Sequence, residues 1–303
     1  MDQKQLTSII KEIGRGKNAA RDLSRDDARA LFTAILNDEI PPLQLGAVLI
    51  AMRIKGESLD ELAGFLEACE ASYPHLKASA GTVPLVIPSY NGARQLPNLT
   101  PLLASLVARE GVPVLVHGVP DDPGRVTTIE VFQAMGIQPA SSIAEAEEQL
   151  ASRKLAVISI DTLAPSLARV LKLRRDVGLR SSGHTLVKML QPFTTKALRL
   201  VSVTHPEYLD RMRAFFTSYA SDALLLRGAE GEAVAHPRRE PVIEWLDGKA
   251  AEVWRGTAEE NPELPDGRDA AVTATWIGEV LIGKRGAPAA ITHQIVCCKQ
   301  ANQ

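Results

Sequence analysis

VPLVIPSYNGARQLPNLTPLLASLVAREGVPVLVHGVPDDPGR, residues 83–125, decides how the rest of this 303-residue chain reads. Residues 83–87 are a short apolar run broken at Pro88-Ser89, and Asn91-Gly92 supplies turn chemistry. Asn98 and Thr100 flank a helix start, with Pro101 at the first helical position. Residues 102–109 are apolar and helix-forming, Gly111 ends them, and 112–116 reads as a second buried strand before His117-Gly118. Strand, turn, helix, strand and turn make one parallel βαβ unit. Ligands of open parallel sheets sit beyond the carboxyl ends of the strands, so the loops 88–96 and 117–125 line one cleft.

On the N-terminal side, residues 1–75 read as helices. Leu6, Ile9, Ile10 and Ile13 keep helical spacing up to Gly14-Arg15-Gly16-Lys17. Ser24 before Asp26-Asp27 caps a second helix through Leu36; Pro41-Pro42 opens a third over 43–54; Ser58 caps a fourth running to residue 71. The stripes Leu6, Ile9, Ile10, Ile13 and Leu45, Val48, Leu49, Met52 exceed what a small helical domain buries internally, which predicts a two-fold homodimer through these helices. Residues 14–17 read as a turn or as a Gly–basic contact to nucleic acid; they lack the length and Ser/Thr of a Walker loop. Arg53 and Lys55 carry the same ambiguity, since cations favour helix C-termini on dipole grounds alone.

On the C-terminal side, 73–82 reads as a connecting strand, 127–135 and 143–150 as helices, 155–160 as a strand and 167–175 as a helix. Residues 201–203 and 223–226 read as strands on either side of a helix that Thr204 and Glu207 open as a capping box, which makes His205 structural. A hairpin and an irregular acidic segment follow to residue 269, then helices over 271–282 and 288–298. There are no internal repeats.

A net charge of −2 points to no partner in bulk. Lys11, Glu12, Arg15 and Lys17 interrupt any early apolar run, and no run reaches spanning length, so a cytoplasmic protein without membrane contact is expected. Cys69, Cys297 and Cys298 fit a reduced compartment and match no zinc spacing. Charge concentrates locally instead. Arg169, Lys172, Arg174, Arg175, Arg180, Lys188, Lys196 and Arg199 stand against the single acid Asp176. Surface helices interleave balancing acids, and this run does not.

The central stretch resembles the anthranilate phosphoribosyltransferase family (glycosyltransferase family 3). That family's Gly-Thr-Gly-Gly-Asp loop, Asn-Ile-Ser-Thr helix start and Lys-His-Gly-Asn-Arg strand end fall, without a gap, on residues 88–92, 98–101 and 116–120. The spacing is kept while the chemistry is not. Val116 and Pro120 stand at the Lys and Arg positions, and Tyr90 at a glycine. Ser89, Asn91, Gly92, Asn98, Thr100, His117 and Gly118 remain as a vestigial donor site. The basic segment follows the family's Arg-Arg-Glu-Leu-Gly-Ile-Arg, so Arg174 or Arg175 inherits the position of the arginine that contacts the anthranilate carboxylate. The enzymes hold magnesium on an Asp-Glu pair after the strand matching 223–226; only Glu232 remains here, which is weak support for Mg²⁺.

The resemblance implies an α/β protein of the nucleoside phosphorylase/phosphoribosyltransferase type. A small helical domain of 1–75, with a contribution from 166–192, precedes a larger α/β domain of 80–165 and 193–303 with a mostly parallel sheet. Around 87–94 and 116–118 the chain is most similar to the YbiB-like paralogues, which implies nucleic-acid binding, a homodimer and no transferase activity. DNA or RNA bound with weak sequence specificity is therefore expected at Arg169, Lys172, Arg174, Arg175, Arg180, Lys188 and Arg94, with no catalytic residue and no cofactor. Tyr90 could stack a base or pack its loop. Two other readings stay open. One is a glycosyl- or phosphoribosyltransferase with an unidentified acceptor, binding its donor through Asn98, Thr100 and His117. The other is a protein-interaction scaffold.

Overall fold

A computed structural model describes residues 1–16, 19–219, 221–247 and 251–302, so Lys17 of the Gly–basic turn lies outside the described residues. In chain order the helical start comprises α1 (Gln3–Ile13), α2 (Arg25–Leu36), α3 (Pro42–Lys55) and α4 (Leu59–Glu70). The middle comprises β1 (Leu85–Ser89), α5 (Thr100–Arg109), β2 (Val114–Gly118), α6 (Thr128–Ala134), α7 (Ile143–Arg153), β3 (Leu155–Ser159) and α8 (Ile160–Leu163). Three short helices follow: α9 (Pro165–Lys172), α10 (Arg174–Val177) and α11 (Gly183–Leu186). The chain then continues through β4 (Leu198–Ser202), α12 (Pro206–Ser218), β5 (Ala223–Leu226), β6 (Val242–Leu246), β7 (Ala251–Arg255), α13 (Ala270–Leu281) and α14 (Ala289–Gln300). It divides into two compact units, Met1–Pro74 with Ala164–Leu190, and His75–Leu163 with Gln191–Gln303.

In the first unit, side chains at the helix starts satisfy orphan backbone donors. Asp2 and Ser24 accept from Gln5 and Asp27 N–H, and Ser58 forms a reciprocal capping box with Glu61. Phe32 of α2 packs on Phe65 of α4 with ring centroids 4.9 Å apart. Glu61 is fully buried; its carboxylate accepts from Leu23 N–H and Ser58 N–H at 2.8 Å each and from Lys55 Nζ at 2.7 Å. Lys55 also reaches Asp22 at 2.5 Å, so it is tied inside the unit. Burial alone would depress the Lys55 pKa, but the hydrogen bonds and charges of Asp22 and Glu61 carry it upward. The apolar stripes are corrected in the same way. Leu6, Ile9, Ile13, Leu45, Val48, Leu49 and Met52 are buried within the protomer and Ile10 is half-buried. The outward apolar residues of α3 are instead Leu43 and Ile54, 88% and 59% exposed.

The second unit is built on a sheet of order β3-β2-β1-β4-β5-β6-β7. The first five of these strands run parallel, and β6 and β7 complete it as an antiparallel hairpin. β1 and β2 are buried throughout, as strands covered on both faces must be. Pro88 is tolerated in central β1 because the ladder to β4 involves only Leu85 and Val86, so its missing N–H costs no sheet bond there. Leu85, Ile87, Leu102, Val107, Phe132 and Ile277 lie in the core around this sheet. The strand order reverses at β1, which puts the switch point at the carboxyl ends of β1 and β4.

Local expectations fail where tertiary contacts override pattern. Residues 73–82 form no strand; Leu76 makes an isolated bridge to Phe193. The 167–175 helix breaks at Leu173 into α9 and α10. The Thr204–Glu207 capping box does not form, because α12 starts one residue later, with His205 as an N-cap that makes no side-chain bond. No helix among the described residues is long and apolar enough to cross a membrane.

Candidate functional site

The loop after β1 presents a row of backbone donors, and the chain answers them with its own carboxylates. Glu232 accepts from Asn91 N–H at 2.7 Å and Gly92 N–H at 2.6 Å, while its other oxygen takes the Ser89 hydroxyl. Ala93 N–H pairs with Val126 O at 2.8 Å. Glu230 then accepts from Arg94 N–H at 2.7 Å, Gln95 N–H at 3.1 Å and Leu96 N–H at 3.4 Å. Six consecutive amides, 91–96, are thus satisfied internally. Two glycines allow this closeness. A Cβ on Gly231, at φ +90°, would lie 1.7 Å from Asn91 Nδ2, and one on Gly118 would lie 2.3 Å from Ser89 O. Glu230 itself sits in the left-handed region at φ 52°, a strain of about 1 kcal/mol that its three amide bonds offset.

The rest of the expected donor set is bound up in the same network. Asn98 Nδ2 reaches Thr128 Oγ1 at 2.9 Å, which lies 2.7 Å from Ser89 Oγ, and Asn98 Oδ1 accepts Thr100 N–H at 3.2 Å. Tyr90 is buried with its hydroxyl 2.6 Å from His117 Nδ1, so it packs the loop and offers no face to a base. A cavity of about 10 Å³ beside Asn98, Glu230 and Glu232 has room for little more than one water. Both Glu232 oxygens accept hydrogen bonds within the chain, and the described residues hold no group of three or more metal-ligating side chains.

Burial pushes the His117 pKa from 6.5 down to about 3. Between those values the unfolded chain binds a proton that the folded chain refuses, so stability falls on acidification through pH 6.5. The expected loss from His117 is about 2 kcal/mol as the pH falls by about 1.5 units below that point. Melting curves of the protein and of a His117→Gln variant check this. An equally steep acid slope in the variant contradicts it.

The basic segment lies in the first unit. Arg169 is half-buried, and its guanidinium takes Asp38 and the Ile35 and Leu36 carbonyls at 2.9 Å each, closing the C-terminal end of α2. Lys172 and Arg175 are exposed, while Arg174, Arg180 and Lys188 are half-buried. His184 marks their convergence. Its pKa is pushed to about 3 by burial first, then by Arg180 and Arg174, and further by Lys188. The end of the basic run belongs elsewhere. Lys196 pairs with Asp222, and buried Arg199 lies 5.0 Å over the Phe216 ring, all in the second unit. Arg94 is exposed beside the Glu230 nest.

Sequence reasoning missed the nest. Glu232 stands out in the sequence only as a remnant of a metal pair and Glu230 not at all, and an i, i+2 pair of acids around a glycine gives no sign of which amides it will meet across more than a hundred residues.

A helical bundle preceding a mostly parallel sheet is the architecture this chain shares with anthranilate phosphoribosyltransferases. A family model described as "Glycosyl transferase family, helical bundle domain" matches residues 7–72. The anthranilate phosphoribosyltransferase of Thermus thermophilus has a similar fold, with a TM-score of 0.76 at 19% identity over 98% of this chain and 88% of that one. That of Sinorhizobium medicae (strain WSM419) is 29% identical over 216 residues, 71% of this chain and 64% of its own length. The YbiB protein of Escherichia coli (strain K12) is 45% identical over 294 residues, 96% of this chain and 92% of its own. The chain belongs to the YbiB branch of the anthranilate phosphoribosyltransferase-like superfamily.

Proposed function

We propose that this protein binds nucleic acid through the cations of residues 172–188, on a transferase scaffold whose donor site its own side chains fill. The observation that carries the reading is the convergence of Arg174, Arg180 and Lys188 on His184. Cations gathered on one segment attract a polyanion. Phosphate contacts of this kind give tight, salt-sensitive and weakly sequence-specific binding. A titration with DNA and RNA across a salt series tests it, and the decisive variant is argued in the Discussion.

The transferase reading requires a diphosphate to enter where Glu230 and Glu232 already hold the amides, without the cations that Val116 and Pro120 replace. Calorimetry with phosphoribosyl diphosphate and millimolar magnesium is expected to give no binding in the micromolar range. Micromolar affinity, or turnover with anthranilate, restores that reading.

The partner of the exposed α3 face is, in this proposal, a second copy. Leu43 and Ile54 edge an open depression of about 690 Å³ whose floor includes Gly46, Ala47 and Ile50, an apolar surface that an isologous contact buries. Light scattering is expected to return a dimer mass, and a Leu43→Asp/Ile54→Asp variant a monomer that stays folded. A dimer mass in that variant places the contact elsewhere.

A further inference from the structure

We propose that a second copy seated on the exposed α3 face completes the nucleic-acid site of each protomer, by fixing the segment 172–181 that carries Lys172, Arg174, Arg175 and Arg180. This coupling rests on the nucleic-acid reading and on the dimer proposed above. Between Leu171 and Ser182, which are both buried, no side chain of the segment is fully buried. Leu173 and Val177 are half-buried and Leu179 is 49% exposed, so its apolar residues find little cover in their own protomer. Local bonds close its helical turn: the Asp176 and Val177 amides donate to Leu173 O at 3.1 and 2.9 Å, and the Gly178 amide to Arg174 O at 2.9 Å. A stretch with few buried apolar contacts opens at low free-energy cost.

The depression on α3 reaches this segment. Asp176 and Val177 line it beside Gly46, Ile50 and Ile54, so whatever fills it also covers one side of α10. A Cβ on Gly46 would meet nothing within 4 Å, which leaves room for a side chain entering from outside. Leu43, at the rim and 88% exposed, is such a side chain, and two-fold symmetry carries each copy's Leu43 to the other's depression. Covering Val177 there fixes α10, and Arg174 and Arg175 belong to that same turn of helix. In a lone protomer the arrangement that grips phosphate is one of several, and affinity falls by the fraction that adopts it. The coupling is reciprocal, so bound nucleic acid tightens the dimer.

Affinity is measured with an oligonucleotide of about eight nucleotides, short enough to occupy one protomer, so that two-site avidity plays no part. Light scattering gives the mass, and hydrogen exchange reads the amides of 172–181. Leu43→Asp/Ile54→Asp and Leu43→Lys/Ile54→Lys both place charge in the apolar contact and are expected to be folded monomers. Added acids by themselves repel the oligonucleotide and added lysines attract it, whereas a lost dimer weakens binding in both. Each variant is expected to bind about tenfold more weakly than the unaltered dimer, with faster exchange at 172–181. Val177→Ser leaves α3 and every cation in place; it serves as a further variant should these not fold, and is expected to weaken binding about as much. Unchanged or tighter binding by the lysine variant, or unchanged exchange at 172–181, overturns the coupling while the nucleic-acid reading stands. An unaltered dimer that binds no oligonucleotide overturns both. A monomer mass for the unaltered chain, or a dimer mass in both charged variants, overturns the coupling by removing the contact it needs.

Discussion

A variant carrying Lys172→Ala, Arg174→Ala and Arg175→Ala is expected to bind DNA about a hundredfold more weakly at low salt, with a salt slope flatter by roughly one unit of log K per lost phosphate contact. Each phosphate neutralised by a protein cation releases condensed counterions, so removing the cation removes both affinity and its salt dependence together. Scrambling the DNA sequence is expected to matter far less, because phosphate contacts position a protein without reading bases. Folding should persist in the variant. Lys172 and Arg175 are exposed, Arg174 is half-buried, and none caps α2 as Arg169 does. Arg169→Ala is therefore the informative contrast: it should lower stability more than it flattens the slope. A folded triple variant with an unchanged slope refutes the assignment of this segment.

Replacing Glu232 with alanine is expected to destabilise the second unit by about 3–5 kcal/mol, because buried donors that served one carboxylate lose it at once. The Asn91 and Gly92 amides and the Ser89 hydroxyl all point at this side chain, which is 2% exposed. At a few degrees of melting temperature per kcal/mol for a unit of this size, the shift should be about 10 °C. Glu232→Gln keeps the shape and one acceptor oxygen, so it should lose less than half as much. Thermal denaturation followed by circular dichroism measures both. A shift of under about 2 °C for the alanine variant means the network contributes little net stability. The contrast with Glu230 is physical: the same acid type on the other side of Gly231 sits half-buried, where water replaces its bonds cheaply.

The sequence alone determined the βαβ unit, since residues 83–118 carry a buried strand pattern, turn chemistry and a Pro-started helix that leave one arrangement open. The helical start was legible for the same reason: Ser24 and Ser58 announce helices by a local rule, a side-chain oxygen two or three residues from an orphan amide. Periodicity told which residues of α1 and α3 are apolar, but not whether a neighbouring helix or another chain would bury them. Only packing placed Leu45 and Met52 inside the unit and left Leu43 and Ile54 outside. Spacing alone aligned the loop 88–92 with a phosphate cradle, and only the tertiary structure revealed which groups the neighbouring amides meet. The amides of 91–96 meet Glu230 and Glu232 across more than a hundred residues of chain. Likewise a charge run read as one basic surface was split by the fold into a cluster around His184, a helix cap at Arg169 and a buried stacking cation at Arg199. Local rules reach as far as the next turn of backbone; the partner of a buried charge is set by whichever distant segment the core brings to it.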